Sequence, residues 1–148
     1  INVAAANQDA SVADLRAGAS YDFGIASVRG IYDRVKATHL GAAAGTEAKQ
    51  VVWGVGATFN VIPTGKIIGQ FYKANDLKVN GAGAADTGAK QYVLGYEHSL
   101  SKRTMLKAVY STVRNDDNAK YDFGINSVGG VGNGATVSGV SLGLRHTF

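Results

Sequence analysis

Charged and amide side chains recur at every second position in several stretches of this 148-residue chain. Side chains of a β-strand alternate between two faces, so these stretches predict strands with one polar face. Such a face is the solvated side in a soluble protein, whereas in a membrane barrel it lines water and its fixed charges bias which ions pass. Asp33 and Thr58 fall on this face together with the nine residues predicted to line a pore: Arg16, Asp22, Arg29, Asn60, Gln70, Glu97, Lys107, Ser111 and Arg145.

Other kinds of chemistry have little support. His39, His98 and His146 are far apart and lack the spacing of metal ligands. The glycine-rich residues 129–134 lack the Lys-Ser/Thr of a phosphate loop, and residues 115–118 lack the alternate spacing of a calcium loop. No serine lies in a Gly-x-Ser-x-Gly elbow. We therefore predict no enzyme, no metal and no cofactor.

Composition narrows the class of protein. Hydrophobic residues make up 45% of the chain, yet no run approaches the ~18 to 20 apolar residues of a membrane helix. A membrane-spanning form would therefore use strands. The net charge of +4 is scattered without a basic block, so we predict no nucleic-acid partner. The lack of cysteine suits the outer membrane and many cytosolic proteins equally.

Alternation predicts seven strands, at residues 15–23, 28–37, 51–62, 66–75, 90–100, 103–114 and 137–148. Residues 1–14 are interpreted as a loop remnant, with a weak match to a helix cap at residues 11–14. The chain begins with neither an initiator Met nor a signal segment, which predicts that processing or truncation removed its start. Domain organisation is thus a single unit over residues 1–148.

The connections between these strands alternate in length. Short turns follow residues 23, 62 and 100, whereas long polar segments follow residues 37, 75 and 114. Outer-membrane barrels have this asymmetry, and soluble β-sandwiches have no reason for it. Aromatic residues on the apolar sides are predicted to lie at the membrane interface; they are Tyr21, Phe23, Trp53, Phe59, Tyr96, Tyr110 and Phe148.

Three segments carry a family resemblance: Gly18-Ala-Ser-Tyr-Asp-Phe-Gly24, Leu94-Gly-Tyr-Glu-His-Ser-Leu-Ser-Lys-Arg-Thr104 and Gly143-Leu-Arg-His-Thr-Phe148. With them, residues 15–148 resemble the C-terminal part of the general trimeric porins of beta-proteobacteria. The resemblance implies strands ten to sixteen of a sixteen-stranded transmembrane antiparallel β-barrel, here an open curved sheet. The family's first half, including the inward-folded third loop that narrows its pore, has no counterpart in this sequence.

The resemblance also implies a function and partners. It implies the outer membrane of a Gram-negative bacterium, contact with its lipid, a homotrimer, and passive diffusion of ions and small hydrophilic solutes. Leu142, Leu144, His146 and Phe148 would form the terminal signal for the barrel-assembly machinery. The basic residues of the polar face outnumber the acidic ones by one, which predicts weak anion preference. Two alternatives remain open: a non-porin outer-membrane barrel with an adhesive or enzymatic role, and a soluble β-sandwich that binds a partner.

Overall fold

The computed structural model of the chain describes residues 10–39 and 45–148, which form one antiparallel sheet. Seven strands of 10 to 16 residues carry it, with two strands of two residues at its side. The elements are β1 (Ser11–Asp22), β2 (Ala26–Thr38), β3 (Glu47–Ile62), β4 (Gly65–Ala74), β5 (Lys78–Val79), β6 (Ala82–Gly83), β7 (Ala89–Ser99), β8 (Thr104–Asn115) and β9 (Thr136–His146). No helix long and apolar enough to span a membrane occurs in these ranges.

Strand order follows chain order, as β1-β2-β3-β4-β7-β8-β9, with β5 and β6 forming a hairpin that pairs with the start of β3. The first and last strands are the two edges, and in the described residues they make no contact with each other. The predicted all-β fold, an open antiparallel sheet, is therefore confirmed. The alternative of a β-sandwich is wrong, because the strands form one sheet and not two facing layers.

Several strands begin earlier than predicted. Ser11–Asp14 continues β1 and pairs with the end of β2, so its interpretation as loop or helical turn is wrong. The ladder favours the strand there, and the Ser11 and Thr38 hydroxyls form a 2.8 Å hydrogen bond across it. β2 likewise begins at Ala26 and β3 at Glu47. Residues 1–9 of the predicted loop remnant and residues 40–44 of the first long connection lie outside the described residues.

The second long connection contains structure that periodicity did not predict. Residues 76–88 hold the β5–β6 hairpin, which turns at Asn80 and Gly81. Their φ angles of 50° and 83° are those of a type I′ turn, so the turn predicted at this dipeptide is confirmed. The hairpin carries the sheet beyond the end of β4 by pairing with Ala48 and Lys49.

The register separates the sheet into two faces, since directly opposite residues of antiparallel strands share a face. One row runs Ser20, Arg29, Gly56, Gln70, Val93, Ser111 and Gly139, and we call its side the polar face. The adjacent row runs Tyr21, Val28, Ala57, Gly69, Leu94, Tyr110 and Val140, and its side is the apolar face. The five large side chains of this row are exposed, and Leu142 on the same face is 80% exposed.

The buried part of the sheet is small and lies on one side only. All its buried hydrophobic strand residues are on the polar face, towards the ends that lead into the long connections. They are Ala37, Ala48, Ala89, Val113 and Val137, and Ala119 of the last long connection is buried with them. The fold thus has its only described core where that connection meets the polar face.

Candidate functional site

The nine residues predicted to line a pore lie on the polar face. Arg29, Gln70 and Ser111 belong to one cross-strand row, and Asn60, Glu97 and Lys107 belong to another. Arg16 and Asp22 share the face through β1, and Arg145 shares it through β9. The strands therefore gather these side chains on one surface, although residues 16 and 145 lie on opposite edges of the sheet.

An ion-paired cluster lies where β1 and β2 approach the long connections. Arg16 donates to Asp33 from Nε at 3.0 Å and from Nη2 at 2.6 Å, and Asp14 lies 3.5 Å from the same guanidinium. Asp14 and Asp33 share the polar face with Arg16, and residue 14 was missed because β1 was predicted to begin at residue 15. The cluster carries one negative charge in excess.

A second cluster crosses β4, β7 and β8. Glu97 is shared by two ammonium groups, with Lys66 at 2.9 Å and Lys107 at 3.7 Å. Lys66 was missed by the sequence analysis, although its parity with Gln70 in β4 puts both on the polar face. This cluster has one positive charge in excess, and Asn60 lies beside it in the same row.

Two arginines of the polar face have no acidic partner in the described parts of the chain. They are Arg29 near the centre of the face and Arg145 at the β9 edge. The Asp22 carboxylate interacts with the backbone instead: its Oδ1 accepts a 2.7 Å hydrogen bond from the Gly24 N–H. Across the polar-face rows from residue 14 to residue 145, five basic side chains stand against four acidic ones.

The aromatic residues predicted for the membrane interface follow the apolar face. Tyr21, Phe59 and Tyr96 lie on it towards the short turns, Tyr110 lies on it in the middle of β8, and Trp53 lies on it nearer the long connections. Phe23 directly follows β1 and meets Tyr21 edge to face at 4.6 Å, and Phe148 lies two residues after the end of β9. The sequence did not predict a second aromatic group, in which the Phe71 ring lies 5.5 Å from that of Trp53 and 5.2 Å from that of Tyr92.

The predicted assembly signal occupies the β9 edge. Leu142, Leu144 and His146 lie on the apolar face, and the His146 ring packs against Phe148 at 4.9 Å. Its Nδ1 is 2.9 Å from the Thr104 hydroxyl of β8. His98 lies two strands away on β7 and His39 follows β2, and no group of three potential metal ligands occurs among the residues that the structure describes.

Residues 116–135, the inner loop, do not extend away from the sheet but fold against its polar face. The Tyr121 hydroxyl accepts a hydrogen bond from the Gln50 side chain of β3, and the Phe123 ring approaches Gly139 of β9. In the loop, the N–H of Gly129, with those of Val128 and Phe123, donates to the Asp122 carboxylate and lowers its pKa. No sequence pattern predicted this placement.

Comparison with known proteins identifies the family to which this two-faced sheet belongs. A family model described as Gram-negative porin matches residues 1–118. The chain belongs to the Gram-negative porin family. It is 34% identical over 137 residues to outer membrane porin protein 32 of Delftia acidovorans. It is also similar to the solved anion-selective porin from Comamonas acidovorans, with 32% identity and a TM-score of 0.79. The resemblance to beta-proteobacterial porins is confirmed, and the alternative of a non-porin barrel is set aside.

Coverage differs between this chain and its relatives. The Delftia match covers 91% of this chain and 36% of the relative, and the Comamonas match covers 94% and 40%. The chain thus spans about two fifths of the porins that it matches. Family membership places it in the outer membrane of a Gram-negative bacterium, and its sheet matches part of the fold of a solved porin.

Proposed function

We propose that these residues form part of the wall of a longer porin, the full-length protein, which lets ions and small hydrophilic solutes diffuse passively across the outer membrane. One observation carries the proposal: a single antiparallel sheet with long strands has a charged face and an exposed apolar face. A barrel strand needs about 9 to 11 residues to cross the hydrocarbon, and each of the seven long strands has at least 10. No chemical step is needed, so we propose no enzymatic activity.

The two faces take different environments in this proposal. Lipid covers the apolar face, with the predicted aromatic residues at the interface, and water covers the nine predicted pore-lining residues. An apolar surface of this extent would be costly in water. The chain supplies strands ten to sixteen of a sixteen-stranded barrel, and the remaining strands close it, because an open edge would leave unpaired N–H and C=O groups in hydrocarbon.

We propose a weak preference for anions. Arg16 and Lys107 have carboxylates beside them, but Arg29 and Arg145 have none in the described ranges, so their charge acts on passing ions. The excess of one basic residue on the face agrees in sign. The name of the Comamonas relative, an anion-selective porin, supports the same direction for this protein.

Partners follow from the family and from the last strand. We propose a homotrimer of the full-length protein and recognition of β9 by the barrel-assembly machinery. Leu142, Leu144, His146 and Phe148 would carry that recognition, since their side chains alternate along one exposed edge strand. The assembled protein needs no cofactor in this account.

The test is the reversal potential of the full-length protein in a planar bilayer under a salt gradient. We expect the sign of the reversal potential to show anion preference. We expect the double variant Arg29→Gln with Arg145→Gln to have a smaller reversal potential than the native protein. Lys73→Gln with Lys90→Gln is the matched control, because both lysines lie on the apolar face and the pair loses the same two charges. Clear cation selectivity of the native protein would contradict the proposed preference, and absence of conduction would contradict the function.

A further inference from the structure

The apolar face carries charged side chains at one end only. In the strands that the structure describes, its half near the short turns has no acidic residue, lysine or arginine. Its half near the long connections holds one acidic residue, Glu47, which forms a 2.7 Å ion pair with Lys36. Seven basic residues lie in that half: Arg34, Lys36, Lys49, Lys73, Lys78, Lys90 and Arg114. A strong excess of positive charge therefore lies on a face that is otherwise apolar.

Three of these residues are direct neighbours across the sheet. Lys73 of β4 lies opposite Lys90 of β7, and Lys90 lies opposite Arg114 of β8. We call these three residues the basic row. Directly opposite side chains have Cβ atoms about 4.5 to 5.5 Å apart, and like charges at such positions are destabilising. None of the three has an acidic partner in the described parts of the chain, so an external anion would relieve their repulsion.

Aromatic side chains lie beside the basic row. Trp53 of β3 is opposite Lys73, and the Arg114 guanidinium lies over the Tyr92 ring, 5.6 Å from its centroid. Tryptophan and tyrosine are enriched where lipid headgroups meet hydrocarbon, and long basic side chains at that depth extend their charged ends to the headgroups. The long connections of outer-membrane barrels are extracellular, which assigns the basic row to the outer leaflet.

A groove on the apolar face continues from the basic row towards the short turns. Gly69 forms its floor, because a Cβ added there would meet no atom within 4 Å. Phe71 precedes Lys73 by two positions in β4, so the groove begins directly beside the row. Larger side chains of the apolar face line it: Val55, Phe71, Tyr92, Leu94 and Tyr110. An acyl chain in this groove would bring the phosphate of its own headgroup to the basic row.

We propose that the basic row and this groove bind one anionic lipid of the outer leaflet, with its phosphate on the three basic side chains and an acyl chain over Gly69. The inference rests on the proposed function, which assigns the apolar face to lipid. A phosphate has several acceptor oxygens, so it accepts hydrogen bonds from two ammonium groups and a guanidinium together. A zwitterionic lipid brings a cation with its phosphate, which the row repels, so the site selects anionic headgroups.

The first experiment measures lipid binding to the full-length protein in a neutral detergent by native mass spectrometry. The probe is dioleoylphosphatidic acid, and dioleoylphosphatidylcholine is the comparison because it has the same acyl chains. We expect the native protein to retain the acid in preference to the choline lipid. Each basic residue near an anionic lipid contributes about fivefold to binding, so Lys90→Gln with Arg114→Gln should weaken binding of the acid at least about tenfold.

The matched control for this variant is Lys102→Gln with Arg103→Gln. It removes one lysine and one arginine from the short turn after β7, at the opposite end of the sheet, and should leave binding of the acid unchanged. Equal retention of the two lipids by the native protein, or equal binding of the acid by the two double variants, would overturn the proposal. Heat-modifiable migration on a gel verifies that each variant has folded.

The second experiment locates the lipid by tryptophan fluorescence. The full-length protein is placed in phosphatidylcholine vesicles that contain a small fraction of phosphatidic acid with brominated chains, since bromine quenches a nearby indole. The Trp53 emission is the difference between the native protein and Trp53→Phe. We expect stronger quenching of this emission than by the same fraction of brominated phosphatidylcholine, and we expect Gly69→Phe, which fills the groove, to reduce the excess. Equal quenching by the two lipids, or an excess that Gly69→Phe leaves unchanged, would overturn the proposed site.

These measurements do not depend on conduction, because the basic row faces away from the pore. Preferential binding of the acid by a protein that conducts nothing would contradict the proposed function and support the lipid site. A conducting protein without that preference would contradict the lipid site alone.

Discussion

Arginine placed on each face of the sheet gives a direct measure of which face meets lipid. Gly69 and Gly143 form a matched pair, because a Cβ added at either position meets no atom within 4 Å. Gly69 lies on the apolar face between Ala57 and Leu94, whereas Gly143 lies on the polar face opposite Lys107. Steric cost is therefore small at both sites, and the environment of the new charge decides the difference.

The expected magnitudes separate the two outcomes. Arginine near the bilayer midplane on the lipid side of a barrel costs about 2 to 4 kcal/mol, so Gly69→Arg should lower the unfolding free energy by that amount. Gly143→Arg places a like charge opposite Lys107, which costs at most about 1 kcal/mol. Urea unfolding of the full-length barrel in lipid vesicles, followed by tryptophan fluorescence, measures both. Equal losses, or a larger loss at Gly143, would refute the assignment of the faces.

Three further predictions concern charge, the inner loop and the sheet edges. Glu97→Gln leaves the Lys66 and Lys107 ammonium groups without their carboxylate, so reversal potentials should show stronger anion preference; an unchanged potential would mean that this cluster does not face the pore. The Asp122 carboxyl has its pKa lowered from 3.8, so its stabilisation of the loop is present above that pH and lost as pH falls through the lower folded value. As pH falls through that value, hydrogen exchange at the Val128 and Gly129 amides of the native protein, corrected for intrinsic rates, should approach the exchange measured in Asp122→Ala. Protection of these amides that does not change with pH would contradict this prediction. The 148 residues alone should give no stable single-channel steps in planar bilayers, because β1 and β9 each present an unpaired edge; steps matching the full-length protein would overturn that expectation.

The faces were predictable from sequence because strand periodicity is local and strict. Because side chains alternate with a period of two, assigning one residue of a strand to a face assigns all the others. Gln70 on the polar face therefore already implied that Lys66 lies on the polar face. Lys66 was absent from the predicted pore-lining set although this parity extends to the start of β4. The error changes the count of basic residues, yet Asp14 on the same face offsets it, so the margin of one charge is retained.

Strand ends were less predictable, since pairing and not periodicity determines them. Ser11–Asp14 has no apolar alternation, but it lies opposite the end of β2 and completes its ladder. Glu47 begins β3 for a similar reason: its N–H donates to the Asn80 side chain at 2.8 Å, which ties the strand to the β5–β6 hairpin. Both contacts join residues distant in sequence, and local propensity contains no record of them.

The inner loop shows most clearly what sequence could not supply. The octad at residues 21–28 nearly recurs at residues 121–128, with the same Tyr-Asp-Phe-Gly-Ile start. In the first copy Asp22 accepts the Gly24 N–H and Tyr21 lies on the apolar face. In the second copy Asp122 accepts three N–H groups and Tyr121 reaches the polar face of β3. Tertiary contacts, not the residues themselves, distinguish the two conformations.

The arrangement of charge on the polar face also explains why a preference for anions should be weak. In the Arg16–Asp33 and Lys66–Glu97 pairs opposite charges lie within 3 Å, so each pair acts on a distant ion mainly as a dipole, whose field falls faster than that of a single charge. Arg29 and Arg145 act as single charges, but salt limits their reach to about 8 to 10 Å at physiological strength. The two clusters leave one excess charge of each sign, at Asp14 and at Lys107, so an ion experiences uncompensated charge only where it passes close to one of these few side chains.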